Sequence, residues 1–169
     1  MSPRVPVEKS LLNLSEVVNE VLGFARYGST LRHVTIRTDL SKDLPSVSGD
    51  RVQLQQVLLN LVINGMDAMN QVEESGRSLT ICGRRESREG AWEAQLSVSD
   101  CGVGLKPQEM GRLFEAFYTT KTQGMGMGLA ISRSIIEAHG GRMWAETHQG
   151  PGATFVFSLP AAAQRPRQG

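Results

Sequence analysis

Cysteine is scarce in this 169-residue sequence: Cys82 and Cys101 stand far apart and form no C-x-x-C pair. A structural zinc and a disulfide framework are therefore both excluded, and the two thiols read as ordinary reduced residues of a cytoplasmic protein. An excess of either charge is missing as well. The 18 basic side chains face 17 acidic ones, for a formal net charge of +1, which leaves no broad positive field for a nucleic acid or an anionic membrane surface. Any phosphate binding has to be local. No run of about 18 apolar residues occurs, and Met1 to Leu14 lacks the apolar stretch of a signal peptide, so no membrane contact is expected from this chain. Internal repeats, low-complexity blocks and a dividing linker are absent too. With 40% apolar residues, the chain reads as one soluble domain, large enough to bury a core without staples.

What is present sorts into elements by periodicity. Leu11, Leu14, Val17, Val18, Val21, Leu22 and Ala25 predict a helix within Ser10 to His33, and Val34-Thr-Ile-Arg-Thr then alternates like a strand. Ser41 to Gly49 is turn chemistry, and Asp50 is placed to cap a long helix from Arg51 to about Gln71. Ser78 to Glu86 and Trp92 to Asp100 read as a hairpin turning at 88–90. Pro107 to Phe117 predicts a short helix and Met127 to His139 a longer one. Arg142 to His148 and Thr154 to Leu159 make a final strand pair, split by Gly150-Pro-Gly152. The tail AAAQRPRQG is expected to be disordered, which leaves 1–160 as the single folded domain and 161–169 outside it. Helices and strands in mixed order, with the strands in hairpins, favour an α+β two-layer sandwich.

The helix beginning at Arg51 is the most informative element. At about 100° per residue, Gln53, Gln56, Asn60, Asn64 and Asp67 fall within roughly 80° of one another. Leu54, Val57, Leu58, Leu61, Val62, Gly65 and Met69 mostly cover the other side. Asn is a poor helix former that competes for backbone hydrogen bonds, so two of them one turn apart in a helix centre need a reason. A solvated face and a ligand-binding face both supply one.

Two glycine clusters place flexible backbone where a ligand can come close: Asp100-Cys-Gly102-Val-Gly104 after a strand, and Gly124-Met-Gly126-Met-Gly128 at the start of a helix. Leu129 stands where a dinucleotide fingerprint would need its final glycine, and no G-x-x-x-x-G-K-[ST] occurs, so both familiar phosphate loops are excluded. Two readings remain: plain loops, or free N–H groups at a helix N-terminus holding a phosphate chain.

Taken in order, Asn60-Leu-Val-Ile-Asn64-Gly-Met-Asp67-Ala-Met, Asp100-Cys-Gly102-Val-Gly104, Leu113-Phe-Glu-Ala-Phe117-Tyr-Thr-Thr-Lys121, Gly124-Met-Gly126-Met-Gly128-Leu-Ala-Ile-Ser and Gly152-Ala-Thr-Phe155 carry a resemblance. The chain resembles the catalytic ATP-binding domain of two-component sensor histidine kinases, of the GHKL superfamily with the Bergerat fold. The five blocks look like that family's N, G1, F, G2 and G3 boxes, in order, over about Val47 to Pro160. The stretch from Thr119 to Glu146 looks closest to the oxygen- and nitrogen-sensing branch. The resemblance implies a two-layer α/β sandwich, with a mixed, mostly antiparallel sheet and helices packed on one face. It implies ATP and Mg²⁺ as cofactors.

Residue by residue, the resemblance makes Asn64 the Mg²⁺ ligand through its amide oxygen, a hard donor that leaves most of the octahedron to phosphate and water. Asp100 would accept a hydrogen bond from the adenine amine, with Gly102 and Gly104 letting the backbone approach the base. Lys121 and the backbone of Gly124, Gly126 and Gly128 would neutralise and cradle the phosphates. Leu129 and Thr154 complete the implied nucleotide set. Phe114 and Phe117 look like the aromatics that pack the lid, and simple core aromatics would look the same. Asp67 would contribute through metal-bound water. Hydrolytic relatives on this fold carry glutamate where this chain has Asn60. An amide is no general base near neutral pH, so Asn60 favours a kinase and orients phosphate or a metal-bound water. Gly65 stands where the family usually has alanine, at up to about 1 kcal/mol of helix propensity. Tyr118 to Gly124 makes a short lid.

None of the three histidines fits a phosphoacceptor. His33 sits at a helix-to-strand junction, His139 at a helix end and His148 beside a loop, so each reads as structural or surface. The expected partners are therefore ATP, a dimerising helical hairpin of the parent kinase that carries the acceptor histidine, and a response regulator further along the pathway. The domain alone is expected to be a monomer. A stand-alone regulatory module or serine kinase of anti-sigma type, and a hydrolytic ATPase, are the alternative readings.

Overall fold

Period-two alternation in the later half of the chain builds a sheet, and two long helices from the earlier half cover it. The computed structural model describes residues 9–115, 128–148 and 150–162. The strands are β1 (Ser10–Leu12), β2 (Thr35–Leu40), β3 (Val47–Gly49), β4 (Ser78–Arg88), β5 (Ala91–Asp100), β6 (Arg142–Thr147) and β7 (Ala153–Pro160). The helices are α1 (Leu14–Leu31), α2 (Arg51–Ala68), α3 (Pro107–Met110) and α4 (Gly128–Ala138). The main sheet runs β2-β4-β5-β7-β6. Among the described residues only β2 and β4 pair in parallel, because α2 supplies the crossover that parallel neighbours require; the other pairs are antiparallel.

The register sets the core. Ala94, Leu96 and Val98 of β5 stand opposite Leu159, Phe157 and Phe155 of β7, and Ile81 of β4 stands opposite Val98. All of these are buried, together with Val17, Val18 and Val21 of α1 and Leu54, Val57, Leu58 and Leu61 of α2. The helices thus pack on one face of a mixed sheet, the expected α+β sandwich. Each fully buried leucine or phenylalanine here is worth about 2–3 kcal/mol relative to exposure.

Several boundaries differ from the sequence expectation for identifiable reasons. Ser10 does not begin a helix: Asn13 caps α1 by accepting from the Ser15 N–H at 2.9 Å, and Ser10–Leu12 pairs antiparallel with Val47–Gly49. A strand therefore lies inside the segment read as a turn, because Val47 and Leu12 both reach the core. Asp50 does cap α2, accepting from Gln53 N–H at 3.0 Å, but the helix stops at Ala68. The Arg77 guanidinium donates to the carbonyls of Val72, Arg32 and Asn70, at 2.9, 2.7 and 3.0 Å, so one cation satisfies carbonyls beyond the C-terminal ends of α1 and α2. The β4–β5 hairpin turns through Glu89 and Gly90, both at positive φ (53° and 80°), the geometry of a two-residue hairpin turn. Helix α3 has only four residues, since Gly111 ends it; Phe117 lies outside the described residues.

His139 is buried and structural, as its sequence position suggested. Its Nδ1 lies 2.8 Å from the Ile135 carbonyl and its Nε2 accepts the Asp50 N–H at 3.0 Å, joining the end of α4 to the start of α2.

Candidate functional site

Strand alternation carries one carboxylate into the core row. Asp100 follows Ala94, Leu96 and Val98 on the helix-facing side of β5 and retains only 3% of its exposure. Its Oδ1 accepts the N–H of Gly102 at 2.8 Å and of Ala153 at 3.3 Å. Both hydrogen bonds fall on the same oxygen, which leaves Oδ2 for a donor from outside. Burial raises the carboxyl pKa above the ordinary carboxylate range, against the pull of those two N–H groups and of His148.

Glycines hold this carboxylate in place. Gly152 has φ +109°, and a Cβ there would lie 1.9 Å from the Asp100 carbonyl oxygen. A Cβ on Gly102 would lie 2.4 Å from the Ala68 carbonyl oxygen, so this glycine lets the loop pack on the end of α2. Gly104, at φ +79°, faces Gly152 in the same way at 3.3 Å. Gly65 marks the closest approach of α2: a Cβ there would lie 2.4 Å from Leu79 Cδ1, 3.6 Å from Asp100 Cβ and 3.9 Å from Asp100 Oδ2. Its place in α2 is thus a matter of clearance as well as helix propensity.

The polar face of α2 continues from this point. Asn64 is half-buried beside Gly65, and its amide takes no hydrogen bond from the described residues. Asn60, one turn earlier and half-buried, donates its Nδ2 to Ser132 Oγ of α4 at 3.2 Å; Ser132 is fully buried. Asp67 accepts from Arg32 at the end of α1 in a half-exposed ion pair. Arg32 arrives from 35 residues away in sequence, and helical periodicity gave no sign of it.

The remaining expectations divide. Gly128 is the exposed first residue of α4 with open space around it, and Leu129 is half-buried against the core. Phe114 also packs on the core, with the Arg133 guanidinium 5.0 Å from its ring centre. Lys121, Gly124 and Gly126 lie outside the described residues. Thr154 is not brought to the site: it pairs with Ser99 at 2.8 Å, on the sheet face away from Asp100, and Ala153 takes the position beside the carboxylate. The alternation of Phe155, Phe157 and Leu159 into the core carries that parity. Gly152 and Ser132 are the site's unanticipated supports.

A family model described as histidine kinase-, DNA gyrase B- and HSP90-like ATPase matches residues 49–163. The chain belongs to this family. Within it, the similarity is to sensor histidine kinases: 43% identity over 155 residues with sensor protein FixL of Bradyrhizobium diazoefficiens, covering 92% of this chain and 30% of that protein. Sensor protein TdiS of Thauera aromatica is 39% identical over 90% of this chain and 28% of its own length. The chain thus spans less than a third of these relatives. Among solved structures, the catalytic domain of histidine kinase ThkA is 30% identical, with a TM-score of 0.78 over 91% of this chain and 96% of that one. Full-length ShkA in complex with AMPPNP is 26% identical, with a TM-score of 0.79 over 97% of this chain and 34% of that one. The histidine kinase catalytic domain therefore accounts for nearly all of the described fold. No described helix of this domain is long and apolar enough to cross a membrane.

Proposed function

We propose that this histidine kinase domain binds Mg·ATP and, within an intact sensor kinase, presents the γ-phosphoryl group to a histidine on a separate helical hairpin, for relay to an aspartate of a response regulator. The observation that carries the reading is Asp100: a buried carboxylate with one oxygen satisfied by Gly102 and Ala153 and the other left for an exocyclic amine. Guanine presents a carbonyl at that position, so the same oxygen selects adenine. Solved relatives point the same way, full-length ShkA being in complex with AMPPNP and histidine kinase ThkA in complex with response regulator protein TrrA.

The donors along α2 suit magnesium. Asn64 and Asn60 offer hard amide oxygens, Asp67 adds a carboxylate already paired with Arg32, and the described residues hold no cluster of three His, Cys, Asp or Glu that would cage a metal. Such a set fits an ion held mainly by phosphate and water, with Asn64 as protein ligand, Asn60 orienting phosphate or metal-bound water, and Asp67 acting through bound water. Magnesium, when bound, supplies charge neutralisation for the phosphates. Lys121 and the backbone of Gly124, Gly126 and Gly128 add to it, and Leu129 borders the nucleotide. The acceptor imidazole is the nucleophile, and the domain contributes position and charge.

Hydrolysis is the second reading, since the family includes ATPases. Asn60 opposes it, because an amide cannot take the proton from an attacking water. Calorimetric titration with a non-hydrolysable ATP analogue, with and without Mg²⁺ and with GTP as control, tests the proposal. Magnesium-assisted, adenine-selective binding is expected. Equal affinity for GTP removes the role given to Asp100.

A further inference from the structure

A polar side chain at the centre of a helix–helix contact needs a reason, and Ser132 has one that the nucleotide set does not include. It is fully buried on α4, four residues after Gly128, and its Oγ accepts the Asn60 Nδ2–H at 3.2 Å. With the NH₂ end of its planar amide on this hydroxyl, Asn60 has its oxygen aimed the other way. Asn60 shares its helix face with Asn64, so the direction of that oxygen decides whether the site offers a hard acceptor or an amide donor. The contact is also held from a second point. The buried His139 ties the far end of α4 to the first turn of α2 through Asp50, fixing the two helices against each other along their length.

We propose that Ser132 is a positioning residue: its buried hydroxyl anchors the Asn60 amide on the α2 face that carries Asn64, and so sets how strongly Mg²⁺ assists ATP binding. This rests on the Mg·ATP reading above and adds to it the group that orients Asn60. Without the hydroxyl, the amide loses this anchor and its oxygen is no longer held in one place. The Mg²⁺-dependent part of the affinity weakens, while adenine recognition by Asp100, on β5, stays as it was.

Titration of a non-hydrolysable ATP analogue into wild type, Ser132→Ala, Asn60→Ala and the double variant, each with and without Mg²⁺, tests this. Ser132→Ala is expected to lose about 3- to 10-fold in affinity with Mg²⁺, the scale of one hydrogen bond. Its Mg²⁺-free affinity should stay within about twofold of wild type. In the Asn60→Ala background the same change should cost nothing further, since Ser132 acts through that amide. Ser132→Thr, which keeps the hydroxyl, should restore most of the magnesium effect. Losses that add in the double variant, or that are equal with and without Mg²⁺, overturn the proposal and leave Ser132 a packing residue. A wild-type domain that binds no adenine nucleotide overturns the Mg·ATP reading and this one together; Mg²⁺-assisted binding that ignores Ser132→Ala overturns only this one.

Discussion

Replacing Asp100 by asparagine separates the chemistry of the site from its architecture. The substitution keeps an oxygen where Oδ1 now accepts from Gly102 and Ala153, so the turn that Gly152 and Gly102 permit stays closed. The other oxygen becomes an NH₂ group. Facing an adenine amine, it replaces a charge-assisted hydrogen bond with two opposed donors, a loss of about 2–3 kcal/mol, or roughly 30- to 150-fold in affinity. Facing the carbonyl of guanine or hypoxanthine, the same NH₂ is matched, so selectivity for ATP over GTP should collapse or invert. Stability moves the other way. Burial raises the Asp100 pKa, so folding favours its protonated form. That stabilisation is complete below about pH 4 and is lost as pH rises through the raised folded value. Asp100→Asn carries no such dependence, and at neutral pH it should be at least as stable as wild type. Calorimetric titration with ATP and GTP analogues, paired with urea unfolding at a series of pH values, reads both effects. Unchanged ATP affinity, or a loss matched by a fall in the unfolding midpoint at neutral pH, refutes the reasoning.

Gly152→Ala, with positive φ and a Cβ 1.9 Å from the Asp100 carbonyl, should unfold the site and abolish nucleotide binding. Gly90→Ala, at φ +80° with nothing within 4 Å, should cost about 1 kcal/mol of strain and leave binding untouched, read by thermal melting and titration. Gly65→Ala gains about 1 kcal/mol of helix propensity but drives a methyl against buried Leu79, which overpacking puts at about 1–3 kcal/mol, so chemical denaturation should report a net loss. A gain would mean that Leu79 rotates aside without cost. His139→Ala leaves the Asp50 N–H without its partner at the α2 cap and should destabilise the domain by about 2–4 kcal/mol, while Asp50→Ser, which keeps a capping oxygen, should cost under about 1 kcal/mol.

Much of the fold was legible because its signals are local. The amide stripe on α2, the cap at Asp50, the hairpin from Ser78 to Asp100 and the glycine loop after Asp100 each rest on neighbours within a few residues, and each is realised. The short strands β1 and β3 left no such mark, because three residues that pair across 35 to 39 positions have no period to read. Thr154 was misplaced for a related reason: the motif put it beside the ligand set, but strand parity turned it to Ser99 and gave Ala153 to Asp100.

Residue identity and local spacing specify which chemical groups this domain offers: amides on one helix face, one carboxylate at the end of an apolar row, glycines where chains meet. Tertiary structure decided which of them meet. Arg32 with Asp67, Ser132 with Asn60 and Gly152 with Asp100 come together across 35, 72 and 52 positions only because α1, α2, α4 and the sheet close on a single core. Contacts of that range follow from packing, which no local pattern of residues encodes.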